Sequence, residues 1–222
     1  MWRVILVVVI GGIAMVAYGV REYLLSKDSS AEPVAIAIED LERGVPDNPH
    51  CRLGPHFAVL DNVVYSEVKR SGSSSVEHAY YPVVSVATLK DTVARLGLRK
   101  DDPAAGLALI QGLPVKIIVK THRWKTVAEI RAEADRPESD FRNELVGMVV
   151  NRIDSVGSKE ADLLKKATPN FDPATTIIIE EGRKPKSVAL TLGLIIGGVV
   201  LVIGSFAVLL ISRLRRPSPE PD

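Results

Sequence analysis

The chain has 222 residues, 46% of them apolar, with 28 Lys and Arg against 27 Asp and Glu. A net charge of +1 creates no single-signed field that would recruit nucleic acid, and the length allows one ordinary domain plus additional segments. Since there is a single cysteine, an intrachain disulfide is excluded and the stability of the domain has to come from an apolar core.

The first apolar run, "VILVVVIGGIAMVAYGV", covers residues 4–20 without a charge. About 20 apolar residues are needed for a helix to cross a bilayer, so the run predicts a short transmembrane helix behind a cytoplasmic N-terminus, residues 1–3. The alternative is a cleavable secretory signal, with Ala17 and Gly19 placed like a cleavage site. Both interpretations deliver the rest of the chain to a membrane.

Residues 21–33 are polar and rich in turn formers, which predicts a linker, and residues 34–181 mix β-branched runs with helical patterns. A Gly/Ser-rich stretch without apolar anchors, 69–75, predicts a loop tip between strands. The patterns predict an α+β domain with a mixed sheet or a partly closed β-barrel and two to three helices. Strands are expected at 34–38, in two pieces around Asp61 and Asn62, and at 77–86, 115–122, 143–153 and 175–181, and helices at 88–98, 125–134 and 159–167.

The stretch "NPHCRLGPHF" places His50, Cys51 and His56 within seven positions. Gly and Pro interrupt it, and the usual spacing of paired zinc ligands is absent, so we expect a turn that happens to carry these side chains. The alternative is a metal or thiol site, since a soft Cys and two His suit copper, with Met148 as a distant fourth ligand.

Other chemical motifs are missing from the sequence. A Ser-rich run precedes His78, but it lacks the G-x-S-x-G pattern of a nucleophile elbow. Phosphate-binding, dinucleotide-binding and H-E-x-x-H motifs do not occur either. We therefore assign no catalytic, cofactor-binding or metal-binding residue, expect no cofactor, and favour a non-enzymatic function.

Three aromatic residues are candidates for contact with a partner. Trp124 lies among His122, Arg123 and Lys125, and an exposed Trp beside cations is typical of a binding spot. Tyr80 and Tyr81 form a similar candidate in "HAYYPVV". The alternative for all three is ordinary packing as half-buried aromatics.

A second linker, 182–187, leads into a second apolar run at 188–212, which predicts another transmembrane helix. Gly193 and Gly197 are four residues apart, a spacing that lets another helix approach closely, and Gly11 and Gly12 of the first helix offer a partner surface within the chain. Because neither run contains a charged residue, ion or proton conduction is not expected.

Residues 213–222 predict a disordered cytoplasmic tail, because three prolines lie among its last six residues and basic residues precede them. Arg213, Arg215 and Arg216 favour a cytoplasmic location for both ends of the chain, with the central domain outside the cytoplasm. The competing orientation has a cytoplasmic domain, because Arg183, Lys184 and other basic residues flank the second run on its domain side.

One domain held between two membrane helices resembles, in layout alone, assembly factors of the surfeit type. The resemblance implies an assembly role and no particular site residue. We therefore predict a membrane-anchored binding or assembly module of a bacterial cytoplasmic or eukaryotic inner membrane. Its expected partners are the lipid bilayer and another membrane protein or a second copy, but not nucleic acid. The alternative function is a metal- or thiol-dependent factor that uses His50, Cys51 and His56.

Overall fold

The computed structural model describes residues 2–70, 72–97, 108–109, 112–136, 140–151 and 156–214. In these ranges the helices are α1 (Trp2–Ser26), α2 (Ile38–Arg43), α3 (Val86–Leu96), α4 (Val127–Ala134), α5 (Ser158–Ala167) and α6 (Val188–Leu214). The strands are β1 (Val34–Ile36), β2 (His50–Leu53), β3 (His56–Ala58), β4 (Val64–Arg70), β5 (Ser73–Val84), β6 (Ile117–Thr121), β7 (Phe141–Arg142), β8 (Leu145–Val149) and β9 (Ile177–Glu181).

The chain divides into two compact units. One consists of the two terminal segments, up to Lys27 and from Pro185 onward, and the other is the central segment Asp28–Lys184. Both terminal helices are long and apolar enough to cross a membrane, over Trp2–Ser26 and Val188–Ile211. The first helix is longer than expected, since residues 21–26 continue it, and most of the predicted tail, from residue 215, lies outside the described residues.

The central unit is an α+β domain built on one mixed sheet that curls into a half-barrel. The described strands follow the order β1-β2-β8-β9-β6-β5-β3-β7, with β4 paired to β5. The β1/β2 and β6/β9 pairs are parallel and the other pairs are antiparallel. The sequence left open whether the sheet is mixed or forms a partly closed barrel. The structure combines the two, because the sheet is mixed and also curls into a half-barrel.

Alternation along the strands separates two faces of this sheet. The inner face carries the main core, to which α2 and α4 add Leu41 and Ile130. The outer face packs Tyr80 and Ile118 against Leu164 of α5. The sheet residues of the inner face include Cys51, Leu53, Ala58, Tyr81, Val83, Ile117, Val119, Leu145, Val149, Ile177 and Ile179.

Most predicted elements are present, including the helices α3, α4 and α5 and the buried strands β6, β8 and β9. The prediction of a loop at 69–75 is wrong for most of this range. Lys69 and Arg70 pair with Ser74 and Ser73, so that β4 and β5 form a hairpin. Gly72 allows the tight reversal, since its φ of 87° is left-handed, and Ser71 lies outside the described residues. The short α2 lies where "EDLERG" predicts a helical turn, and with it the domain has four described helices against the two to three expected.

Pro82 lies inside β5, although proline is expected at edges or strand ends because it cannot donate a backbone hydrogen bond. It pairs with Ile118 on one side. On the other side β5 changes partner from β4, whose first residue Val64 lies opposite Tyr80, to β3, whose Ala58 lies opposite Val83. The proline therefore lies where β5 changes partner, and its carbonyl oxygen still accepts a hydrogen bond from the backbone N–H of Val59, just after β3, at 2.9 Å.

Candidate functional site

The stretch with His50, Cys51 and His56 is two short strands, β2 and β3, and only Gly54 and Pro55 between them form the expected turn. Strand pairing with β8 explains the difference, because His50–Leu53 runs antiparallel to Leu145–Met148. A sequence scan favours a turn here since each strand has only three or four residues. The pairing partner, almost 100 residues away, is what makes the segment extended.

Cys51 is completely buried in the apolar inner core. Burial raises the pKa of its thiol to about 11, so the reactive thiolate is scarce at neutral pH. Gly147, which lies opposite Cys51 in the β2–β8 pair, has no side chain that could bind a metal ion together with the thiol. The environment of Cys51 is therefore that of a small core residue.

His50 points away from Cys51, because successive strand residues face opposite sides. Its ring Nδ1 lies 3.0 Å from the carbonyl oxygen of Ser30. Asn48 completes the link, since its Oδ1 accepts from the His50 backbone N–H at 3.0 Å and its Nδ2 donates to Ser30 Oγ at 2.7 Å. His50 thus fastens the segment before β1 to β2, which is a structural role.

His56 lies on the inner face, two residues before the core residue Ala58. Its Nδ1 is 2.9 Å from the carbonyl oxygen of Gly54, which can only accept, so Nδ1 carries the proton. Burial lowers the pKa of His56, and the nearby Arg142 acts in the same direction. The neutral ring therefore keeps an unprotonated Nε2, and this buried atom has no hydrogen-bond partner in the described residues.

The three residues do not form one site. Within the described ranges, no group of three or more His, Cys, Asp or Glu side chains is arranged to hold a metal ion. Met148, the proposed fourth ligand, pairs with His50 across β2 and β8 and is also buried. The Nε2 atoms of His50 and His56 are both buried without a hydrogen-bond partner in the described residues, and of the two only that of His56 lies on the inner face.

Four polar residues of the inner face interact with one another, and we call them the inner cluster: His56, Tyr81, Arg142 and Glu181. His56 and Arg142 are direct partners across β3 and β7, so they share a face. Glu181 follows Ile179 by two residues in β9 and therefore also faces inward. The inner cluster thus collects one residue from each of four strands, β3, β5, β7 and β9.

His56 Nε2 and Arg142 Nε are buried and have no hydrogen-bond partner in the described residues, whereas the Tyr81 hydroxyl lies beside the Glu181 carboxylate and bonds to it. Buried polar atoms are nearly always satisfied in folded proteins, so two on directly opposite residues are unusual. Burial, followed by the charge of Glu181, raises the pKa of Tyr81 and keeps its hydroxyl protonated. The inner cluster is therefore the candidate functional site of the domain.

Charged and aromatic residues border the inner cluster and hold Arg142 in place. The Arg142 guanidinium lies over the Tyr81 ring, 5.6 Å from its centre, and its Nη2 donates to Glu133 Oε1 at 3.0 Å. Arg123 also donates to Glu133 and stacks 4.5 Å above the Trp124 ring. Because Nη2 is held by Glu133, the Nε–H of Arg142 is left for the inner cluster.

The aromatic candidates for partner contact are packed inside the domain. Trp124 is 4% exposed, Tyr80 3% and Tyr81 0%. Trp124 and Tyr81 pack on each other with ring centres 5.7 Å apart, whereas Tyr80 belongs to the outer core. These side chains present almost no surface to a partner, which corresponds to the alternative of core packing.

An open groove of about 540 Å³ runs along the free edge of the sheet at β1. Apolar residues such as Ile36 and Leu53 line it together with Glu39 and the ion pair of Arg52 and Glu144, whose Nε and Oε1 are 3.3 Å apart. The groove is a concave surface of the domain.

In the terminal unit, α1 and α6 pack closely through Gly12, as predicted for α1, but α6 contributes Gly198 to this contact and not Gly193. A Cβ on Gly198 would lie 2.6 Å from the carbonyl oxygen of Gly12, so neither position has room for a side chain. By contrast, a Cβ on Gly193 would meet nothing within 4 Å, and one on Gly197 would only touch Met15 at 3.6 Å. The predicted Gly193 face of α6 is thus open, and the adjacent face is packed.

Sequence reasoning missed Arg142 and Glu181. A usable signal was present for Glu181, because alternation from Ile177 and Ile179 places this carboxylate on a buried face. Nothing comparable marks Arg142, which lies in a two-residue strand. No protein-family model, no curated protein and no solved structure matches this chain.

Proposed function

We propose that this chain is a membrane-anchored binding or assembly module without catalytic activity, integral to a bacterial cytoplasmic or eukaryotic inner membrane. In this proposal α1 and α6 form the anchor and the α+β domain lies outside the cytoplasm. Its partners are the lipid bilayer and either another membrane protein or a second copy of the chain.

The observation that carries this proposal is the surface of the terminal helices. Only 17% of the apolar window of α1 and 11% of that of α6 is buried. Large apolar side chains point outward instead, among them Val7, Ile10, Ile196 and Phe206. A helix of a soluble core would bury such residues, and an exposed apolar surface of this extent is stable only in lipid or against a partner.

The packing of α1 on α6 supports retention of α1 over its removal as a signal peptide. Gly12 and Gly19 are both buried, and a Cβ on Gly19 would lie 2.8 Å from Ile195 of α6. At the end of α1, Ser26 Oγ accepts from the backbone N–H of Lys186 at 2.9 Å. A segment destined for cleavage has no need of such complementarity.

The residues of the domain favour a binding function over a catalytic one. The only cysteine of the chain is buried, and burial raises the pKa of its thiol, which disfavours a reactive thiolate. The alternative of a metal- or thiol-dependent factor gains no support from the positions of His50, Cys51 and His56. The near-zero net charge remains a reason to expect no nucleic acid.

The orientation rests on Arg213, Arg215 and Arg216 and is tested by labelling introduced cysteines in intact cells with a maleimide that cannot cross membranes. Ser74→Cys lies at an exposed position of β5, so it should be labelled from outside, and Ser218→Cys should be labelled only after permeabilisation. The native Cys51 is the internal control, because a buried thiol should not react before unfolding. The reverse pattern would place the domain in the cytoplasm, and extraction of the chain by alkaline carbonate would refute the anchor.

A further inference from the structure

We propose that the groove beside β1 binds an extended peptide segment of a partner protein, in which a basic residue lies between apolar ones. We call this cavity of about 540 Å³ the edge groove, and residues 35–39, 52–55, 86, 143 and 144 line it. The inference rests on the proposed binding role and deepens it by naming the chemistry of the partner. It does not depend on the side of the membrane on which the domain lies.

The edge groove has the size and the lining of a binding site. Ligand pockets are typically clefts of about 300–1,000 Å³, lined mainly by apolar side chains with a few polar groups. Here Ile36, Leu53 and Val86 come from three separate segments of the chain and meet at one cavity. Gly54 adds open space, since a Cβ at this position would meet nothing within 4 Å. An apolar side chain of a partner is therefore sheltered from water in this groove.

Glu39 supplies the charge that selects the partner. Its half-buried carboxylate lines the groove and has no hydrogen-bond or ion-pair partner in the described residues. Arg43 of the same helix bonds to the backbone oxygen of Glu39 and to the carboxylate of Asp40 instead. The other two charged residues of the groove, Arg52 and Glu144, pair with each other. One unpaired negative charge beside an apolar surface complements a lysine or arginine side chain with apolar neighbours.

The position of β1 favours an extended peptide over a small cation. β1 is an end strand in the order of the described strands and pairs only with β2. Within those ranges Val34–Ile36 make no backbone hydrogen bond outside this pair, and Val34 and Ala35 are exposed. A sheet edge with unpaired backbone groups binds extended peptides as an added strand. Because Ala35 and Ile36 also line the edge groove, a peptide held at this edge lies beside its apolar wall.

The test uses the full chain in a non-ionic detergent and three synthetic pentapeptides. The basic probe is acetyl-Val-Lys-Val-Thr-Val-amide, and its two counterparts have glutamine or glutamate in place of lysine. Saturation-transfer NMR of the valine methyl groups measures binding, with empty micelles as the blank. We expect the basic peptide to bind and the glutamine peptide to bind about two- to fivefold more weakly, the usual effect of a partly exposed ion pair. The glutamate peptide should bind no better than the glutamine peptide, because it would face Glu39 and Glu144.

Equal binding of the three peptides, or no binding of the basic one, would overturn the proposal. A fourth probe, the basic peptide with N-methylated backbone amides, cannot donate backbone hydrogen bonds to β1 and should bind at least about fivefold more weakly. Undiminished binding of this probe would also overturn the proposal, since the ligand would then be an amphiphilic cation and not a strand. These failures would leave the membrane-anchored role intact, because extraction by alkaline carbonate refutes that role separately.

Two pairs of variants locate the binding. Glu39→Gln should abolish the preference for the basic peptide over the glutamine peptide. Asp40→Asn is the matched control and should keep this preference, because Asp40 pairs with Arg43 and does not line the groove. Equal effects of the two variants would contradict the role of Glu39.

The second pair tests the space in the groove. Gly54→Phe places a ring in the groove and should weaken binding of the basic peptide at least about tenfold, because the peptide side chain loses its room. Gly44→Phe is the matched control, since a Cβ on Gly44 also meets nothing within 4 Å but lies outside the groove. Equal binding by the two variants would place the peptide elsewhere. Because the comparison of the peptides uses the unaltered chain, the proposal can fail even if a variant does not fold.

Discussion

Gly12 of α1 and Gly198 of α6 lie against each other with no room for a side chain on either. A Cβ on Gly12 would be 2.9 Å from the carbonyl oxygen of Gly198, and one on Gly198 would be 2.6 Å from the carbonyl oxygen of Gly12. Such close backbone approach through small residues is the usual way in which helices associate in lipid, where no hydrophobic effect drives them together. The two ends of the chain are therefore specific partners for each other.

Replacing Gly198 by Ala should destabilise the α1–α6 pair. The added methyl group overlaps backbone, and overpacking of this kind typically costs about 1–3 kcal/mol. Thermal unfolding of the purified chain in detergent measures the loss. Gly193→Ala is the matched control, because its Cβ would meet nothing within 4 Å. A loss of stability for Gly193→Ala but not for Gly198→Ala would mean that the other face of α6 forms the contact.

Cys51→Ser should reduce stability more than Cys51→Ala does. The position is completely buried in an apolar core, and an unpaired hydroxyl in such a place costs about 1–3 kcal/mol. Denaturant unfolding of both variants measures the difference, which isolates the hydroxyl because serine and alanine are otherwise alike. If Cys51 were in an exposed turn, the two variants would agree within about 0.5 kcal/mol.

The stability of the domain should depend on pH through His56. Burial holds the pKa of His56 below its ordinary value of 6.5, so the unfolded chain binds a proton more readily than the folded chain. The contribution is present above about pH 6.5 and is lost as the pH falls through the lowered pKa. Arg142 and Glu181 are the charged groups that act on this ring, in opposite directions.

His56→Gln should therefore flatten the fall in unfolding free energy between about pH 7 and pH 5. Part of the slope should remain, because burial also lowers the pKa of His78, and His78→Gln measures that part. Asp140, whose pKa is raised by burial, acts with the opposite sign and at lower pH. An identical slope in the wild type and in His56→Gln would show that His56 can take up a proton without cost.

Ser85→Ala should destabilise the domain through the start of α3. Ser85 Oγ accepts from the Thr88 backbone N–H at 2.9 Å, and Glu42 of α2 accepts from both Ser85 N–H and Thr88 Oγ1, at 3.1 and 2.8 Å. Loss of a helix N-cap costs about 0.5–2 kcal/mol of stability. Because Ser85 is buried, we expect a loss near the upper end of this range. Chemical unfolding measures the cost, and Ser85→Thr, which keeps the hydroxyl, should lose less. Equal losses for the two variants would mean that the cap contributes nothing.

The sequence by itself determined the elements whose signal is local. Two long uncharged apolar runs specify α1 and α6, and β-branched runs such as 177–179 specify buried strands, because length, charge and side-chain branching act within a single segment. The α+β class follows from the mixture of these patterns. The short strand β2 was missed for the same reason, since a segment of four residues is extended only when a distant strand pairs with it, whereas β3 overlaps the strand piece predicted before Asp61.

Only the tertiary structure decided which residues meet. Strand order and register bring together Tyr81, Arg142 and Glu181 with His56, although 125 positions separate the first and last of these four in the chain. The same holds for Gly198, which lies on the packed face of α6 while Gly193 lies on an open one. Residue type fixes what a side chain can donate, accept or exclude, but the partner is set by pairing between distant segments, and no local pattern encodes that choice.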